Sequence, residues 1–175
     1  FRDWLDIKED QGQFTWTLGM YGTEGMAREA GLSLEEYWEQ IARACFLNEN
    51  DPIQKWKQVY NEMERIISTL NSLSIKNVRV KAEKTDITIG LGEKRQWLGG
   101  RGRNIPSFEI FTCPDWRLIN GVITFDLPLY RYGNIIRDIT LEIKDGIIEK
   151  AYAKENQKLL QEMIAQKNAN KIGEF

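Results

Sequence analysis

The sequence predicts an α+β fold: an N-terminal helix pair, a region of antiparallel β-sheet, then a C-terminal helix. Two observations support this. Apolar residues recur at helical spacing up to about Leu73 and at every second position after it. The helical and extended stretches also come in separate runs rather than in alternation.

The elements follow in chain order. The first twenty residues read as irregular and aromatic, with Phe1, Trp4, Phe14 and Trp16, and Tyr21 just beyond. Glu24 to Ala30 reads as a short helix closed by Gly31, glycine being a common helix stop. Ser33 and Glu36 form a capping box, in which each side chain satisfies a backbone N–H of the other residue. The helix it starts carries Leu34, Tyr37, Trp38, Ile41 and Cys45 on one face and is expected to end near Asn48. Asp51-Pro52 opens the next helix, because Asp caps and Pro lacks only an N–H that would be unpaired there. Trp56, Tyr60, Met63, Ile67 and Leu70 mark its buried face to about Leu73, and the two helices are expected to pack as a hairpin.

Beyond Leu73, Val78, Val80 and Ala82 and then Ile87, Ile89 and Leu91 alternate with polar residues, as in half-buried strands. Ser107 to Thr112, Gly121 to Leu127, Ile135 to Lys144 and Ile147 to Ala153 also read as extended. Asp145-Gly146 is a strong hairpin turn between the last two. A final amphipathic helix covers roughly Glu155 to Gln166. Residues 1–175 are expected to form a single domain, and Phe1 and Phe175 both read as cuts in a longer chain.

Charge and composition exclude several functions. With 24 basic and 26 acidic residues, the net charge of −2 gives no footprint for nucleic acid or an anionic membrane. No apolar run reaches the ~18 residues of a membrane span. Two cysteines, Cys45 and Cys113, make no disulfide framework, so a reducing, cytoplasmic location is expected. There is no histidine. That removes Ser-His-Asp and Cys-His catalysis and two-histidine zinc motifs, and leaves carboxylates as the metal ligands available.

Four groups of residues could carry chemistry. Gly99-Gly100-Arg101-Gly102-Arg103 resembles a phosphate or RGG-type loop, but lacks a Gly-Lys-Ser/Thr ending and reads better as a loop between strands. Asp86, Asp115, Asp126 and Asp138 read singly as turn or strand-end residues. In Asn104-Ile105-Pro106-Ser107-Phe108-Glu109-Ile110-Phe111-Thr112, Phe108, Ile110 and Thr112 share one face of a strand, and Glu109 and Phe111 the other. Residue chemistry alone favours an edge strand with a solvent-facing Glu109, and a Glu held in a cleft is the alternative. Glu174, between Gly173 and Phe175, carries the same ambiguity.

Taken in order, these segments and their neighbours resemble one family. The series is Asn50-Asp51-Pro52, Leu70-Asn71, Thr85-Asp86-Ile87-Thr88-Ile89-Gly90-Leu91, Trp97, Asn104 to Asp115, Gly121-Val122-Ile123, Leu127-Pro128-Leu129, Tyr132-Gly133, Lys144-Asp145-Gly146 and Ile172-Gly173-Glu174. It is similar to the aminopeptidase T / aminopeptidase S / PepS family of dinuclear-metal exopeptidases. The resemblance implies a metalloaminopeptidase that removes residues from the N-terminus of peptide substrates with a water activated by two divalent ions, zinc or cobalt. It implies that Glu109 and Glu174 are metal ligands, with Glu174 also in the catalytic set, and that the enzyme is a homodimer. The family's N-terminal α/β domain and its histidine-bearing C-terminal part have no counterpart here, so this chain is expected to be inactive alone. A non-catalytic binding or assembly module, with an interface of Trp4, Trp16, Trp97 and Trp116, is the alternative.

Overall fold

The computed structural model describes residues 2–100 and 104–175. Phe1 and the Arg101-Gly102-Arg103 part of the glycine–arginine loop lie outside the described residues. The chain divides into two compact units, Phe1–Lys55 and Trp56–Phe175.

The first unit begins with a helix, α1 (Arg2–Asp10), where the sequence predicts irregular chain. No Gly or Pro interrupts it, and Asp3 in its first turn and Lys8 in its last complement the helix dipole. Gly12, at φ +67°, ends it. α2 (Glu24–Glu29) is capped by the Thr23 hydroxyl, and α3 (Leu34–Ala44) by the predicted Ser33–Glu36 box, with both reciprocal bonds present. α3 stops at Ala44, short of Asn48. Phe46 turns left-handed at φ 60°, and the Leu47 N–H bonds back to the Ala42 carbonyl at 2.8 Å. α4 (Pro52–Ser72) starts where Asp51 accepts from the Gln54 N–H at 2.9 Å, and the boundary between the units falls within it.

The second unit is built on a five-stranded antiparallel sheet: β1 (Asn77–Ala82), β2 (Thr85–Gly90), β5 (Ile119–Phe125), β8 (Ile139–Lys144) and β9 (Ile147–Tyr152), in that spatial order. Alternation gives the sheet one apolar face. Ile87, Ile89, Ile119, Ile139, Leu141 and Ile143 form its core with Ile136 and with Leu160 of helix α5 (Gln157–Ile164). Other positions carry polar partners, such as the Arg79–Asp86 pair at 2.7 Å and the facing Lys150–Glu142 pair at 2.7 Å. Two short ladders complete the unit: β3 (Leu98–Gly99) with β4 (Ile110–Phe111), and β6 (Leu129–Arg131) with β7 (Asn134–Ile136).

Two strand expectations change: Ser107 to Thr112 shortens to the two-residue strand Ile110–Phe111, and Ile135 to Lys144 divides in two. Ile135 to Lys144 is broken where Asp138 adopts φ 52°, which ends β7 and lets β8 start afresh against β5. The β6–β7 hairpin turns at Tyr132-Gly133, where both φ values are positive as in a type I′ turn. The Asp145-Gly146 hairpin forms as expected, also with positive φ at both residues. Its tip is docked: Gly146 donates to the Ile119 carbonyl at 2.9 Å, and the Asp145 N–H to the Asn120 side chain at 2.8 Å.

A Cβ at Gly146 would lie 1.8 Å from the Trp116 carbonyl oxygen, on a backbone at φ +78°. Gly146→Ala is therefore expected to lower stability by more than about 2 kcal/mol, combining left-handed strain with a steric clash. Urea unfolding measures this, and an unchanged midpoint would show that the hairpin tip is not docked.

Candidate functional site

The candidate carboxylates sit where β3, β4 and the C-terminal segment run side by side. α4 anchors this arrangement. The Asn71 side chain accepts from the Trp97 N–H at 2.8 Å and donates to the Trp97 carbonyl at 3.0 Å, fixing the residue that precedes β3. β3 then pairs with β4, Leu98 facing Phe111 and Gly99 facing Ile110. Gly99 allows close packing: a Cβ there would lie 2.8 Å from Cδ1 of Ile67 on α4. Gly100 extends the ladder by donating to the Glu109 carbonyl at 3.4 Å.

Thr112 continues the pairing on its other side. Its N–H donates to the Phe175 carbonyl at 2.9 Å, and the Phe175 N–H donates to the Thr112 carbonyl at 3.0 Å. Such a two-way exchange marks a hydrogen-bonded antiparallel pair. The Thr112 hydroxyl donates to the Gln96 carbonyl at 2.9 Å, and the residue is only 1 % exposed. Nothing in the local sequence marks Thr112 as the centre of this arrangement, because its partners come from distant parts of the chain.

Strand parity then decides where the side chains go. Residues 109, 111 and 113 share one face, and 110 and 112 the other. Since Thr112 opposes Phe175, Glu174 lies across from Cys113, on the face that carries Glu109. Glu109, Cys113 and Glu174 are all exposed. On the opposite face the Phe175 ring stands 6.3 Å from that of Trp97, and Phe108, although 57 % exposed, stands 5.3 Å from the Trp56 ring. At strand rise, Glu109 and Cys113 stand about 13 Å apart along the chain. The two glutamates thus share one face, with Phe111 between Glu109 and Cys113, without closing on a common point. Among the described residues, no group of three or more His, Cys, Asp or Glu side chains could hold a metal ion.

Glu174 is held from both sides. Upstream, Ile148 donates to the Asn170 carbonyl at 3.0 Å, and the Lys171 ammonium lies 4.1 Å from the centre of the Trp116 ring. Downstream stands the Thr112–Phe175 pair. Trp97 and Trp116 are thus engaged internally, whereas Trp4 and Trp16 are largely exposed.

Asp86 and Asp115 serve the frame. Asp86 pairs with Arg79. Asp115 accepts from the Arg117 backbone N–H at 3.1 Å and is gripped at both oxygens by the Arg117 guanidinium, at 2.9 and 2.6 Å. The Arg117 side-chain hydrogen bonds, helped by that backbone bond, hold the Asp115 carboxyl down at about 2. The Asp115 N–H in turn donates to the Gly90 carbonyl at 3.0 Å, tying the end of this segment to β2.

Comparison with known proteins adds the following. The model of the thermophilic metalloprotease (M29) family matches residues 1–175. Aminopeptidase PepS of Streptococcus thermophilus is 31% identical over 97% of this chain and 45% of its own length. Aminopeptidase AmpS of Bacillus subtilis (strain 168) is 30% identical over 86% of this chain and 40% of its own. The solved structure of wild-type AmpT from Thermus thermophilus shares the fold, with a TM-score of 0.79 at 24% identity over 96% of this chain and 45% of that one. The chain thus spans less than half the length of these relatives.

Two measurements test the frame. Thr112→Val leaves the Gln96 carbonyl unpaired and is expected to cost about 1–3 kcal/mol in urea unfolding. For Asp115 the fold favours the charged form, so its contribution is complete well above the ordinary 3.8 and fades as pH falls toward about 2. A carboxyl titration followed by NMR should therefore place its midpoint near 2, and Arg117→Gln should raise it toward 3.8. A midpoint unmoved by that substitution would assign the low value to another group.

Proposed function

Because this chain belongs to the thermophilic metalloprotease (M29) family, we propose that it is the carboxylate-bearing segment of a longer metal-dependent aminopeptidase. Glu109 and Glu174 are its metal ligands, and Glu174 also takes part in the reaction. The observation that carries this is the Thr112–Phe175 backbone exchange, which sets the two glutamates on one exposed face. The metals are two divalent ions, zinc or cobalt, and the substrate is a peptide with a free N-terminus. The whole enzyme is a cytoplasmic homodimer.

The donor set fits these metals in part. Carboxylates bind zinc and can bridge two cations while neutralising them, but a zinc centre takes three or four protein ligands, commonly with histidine among them. Two glutamates supply a fraction of that, and the chain has no histidine. Bound ions would polarise the scissile carbonyl and lower the pKa of a water. The contribution of this chain is positional. Glu109 is presented by a strand laced to β3, and Glu174 by a segment tied at Asn170 and Phe175. A ligand beside a paired strand is placed more precisely than one on a free loop.

The 175-residue chain is accordingly expected to hydrolyse an amino-acid anilide no faster than buffer, and turnover that a chelator abolishes would contradict this. Calorimetric titration with zinc and cobalt should show weak binding that disappears in both Glu109→Gln and Glu174→Gln. Binding that survives both substitutions would remove the two glutamates from the metal site.

A further inference from the structure

We propose that residues 14–21 form a β-strand in the assembled enzyme, pairing with a sheet built from the part of the polypeptide that this chain does not contain. The inference rests on the reading of the chain as one segment of a longer protein. It starts from the sequence Phe14-Thr15-Trp16-Thr17-Leu18-Gly19-Met20-Tyr21. Phe14, Trp16, Leu18 and Met20 alternate with Thr15, Thr17 and Gly19, and aromatic residues and threonine favour strands.

In the structure this stretch belongs to no helix or strand, and most of its apolar side chains are exposed, although the Trp16 indole donates to Glu9 at 3.1 Å and the Tyr21 ring lies edge-on to that of Trp38. Trp16 is 60 % exposed, Leu18 81 %, Met20 78 % and Tyr21 76 %. Among the described residues, the backbone of 14–21 makes no hydrogen bond to other backbone. The segment therefore combines a largely exposed apolar stripe with backbone that has no ladder partner on either side. Either feature alone is ordinary, but together they specify the occupant. An open edge is satisfied by another strand, and an alternating stripe by the layer beneath a sheet.

Other occupants satisfy less of this. A membrane surface would cover the stripe but leave backbone N–H and C=O groups in an apolar phase without partners, which is strongly unfavourable. An extended peptide, or a second copy paired through this segment, would fill one edge and leave the other open. The relatives supply the missing material: aminopeptidase PepS is covered over only 45% of its length. Gly22, directly after the segment, is packed against Tyr37 and Ile41, 3.1–3.2 Å from where its Cβ would be. The strand thus leads from a fixed point on α3.

The test is hydrogen exchange on the 175-residue chain and on the complete product of its source gene. In the short chain the amides of 15–21 should exchange near the rate of unstructured peptide, and in the complete protein about 100-fold or more slowly. Thr17→Pro, which removes a ladder donor, should abolish that protection at neighbouring amides. Three outcomes overturn the inference. Unprotected amides in a longer product do so while leaving the segment reading intact. A source gene that encodes only these 175 residues removes both. Protection in the short chain that rises with concentration, together with a dimer by light scattering, assigns the strand to a second copy instead.

Discussion

The pair of backbone hydrogen bonds between Thr112 and Phe175 is the constraint on which the candidate site depends. In a sheet the side-chain period is two, so a shift of one residue in this register would turn Glu174 to the packed side and Phe175 to solvent. Two features of the packed side oppose such a slip. The Thr112 hydroxyl is bound to the Gln96 carbonyl in a buried position, and the Phe175 ring stands against Trp97. The backbone positions on the exposed side are set by the face behind them.

The rest of the second unit supports this register. The five-stranded sheet and α5 bury one continuous apolar core, and the segment after α5 leaves that core through Ile172 and Phe175, both packed against it. The chain around Asp115 is tied to β2 through Gly90 and to its own turn through Arg117. The strip that carries Glu109, Cys113 and Glu174 is therefore bordered by backbone fastened elsewhere, which is how a small two-stranded ladder can hold exposed acidic groups in a fixed order.

Much of the local structure was legible in the sequence because it is decided locally. The Ser33–Glu36 box, the Asp51-Pro52 helix start and the Asp145-Gly146 turn each need only a few consecutive residues, and each forms as expected. The face alternation of Glu109 was readable for the same reason. What was not legible depends on contacts across the chain or on single backbone angles. α1 is short and mostly charged, with few apolar residues to show a helical period. The break at Asp138 is one left-handed residue inside an apolar run. That Glu109 and Glu174 share a face follows from the 112–175 register, which no spacing within either motif encodes; only the family resemblance linked the two residues beforehand.

The Asn71 clamp has a mechanical consequence. It grips Trp97 by both backbone groups, so any slide of α4 drags β3, and β3 drags β4 and the C-terminal segment through their ladders. The same strip is moored to the five-stranded sheet through Asn170 and Asp115, so α4 cannot slide without pulling against that sheet.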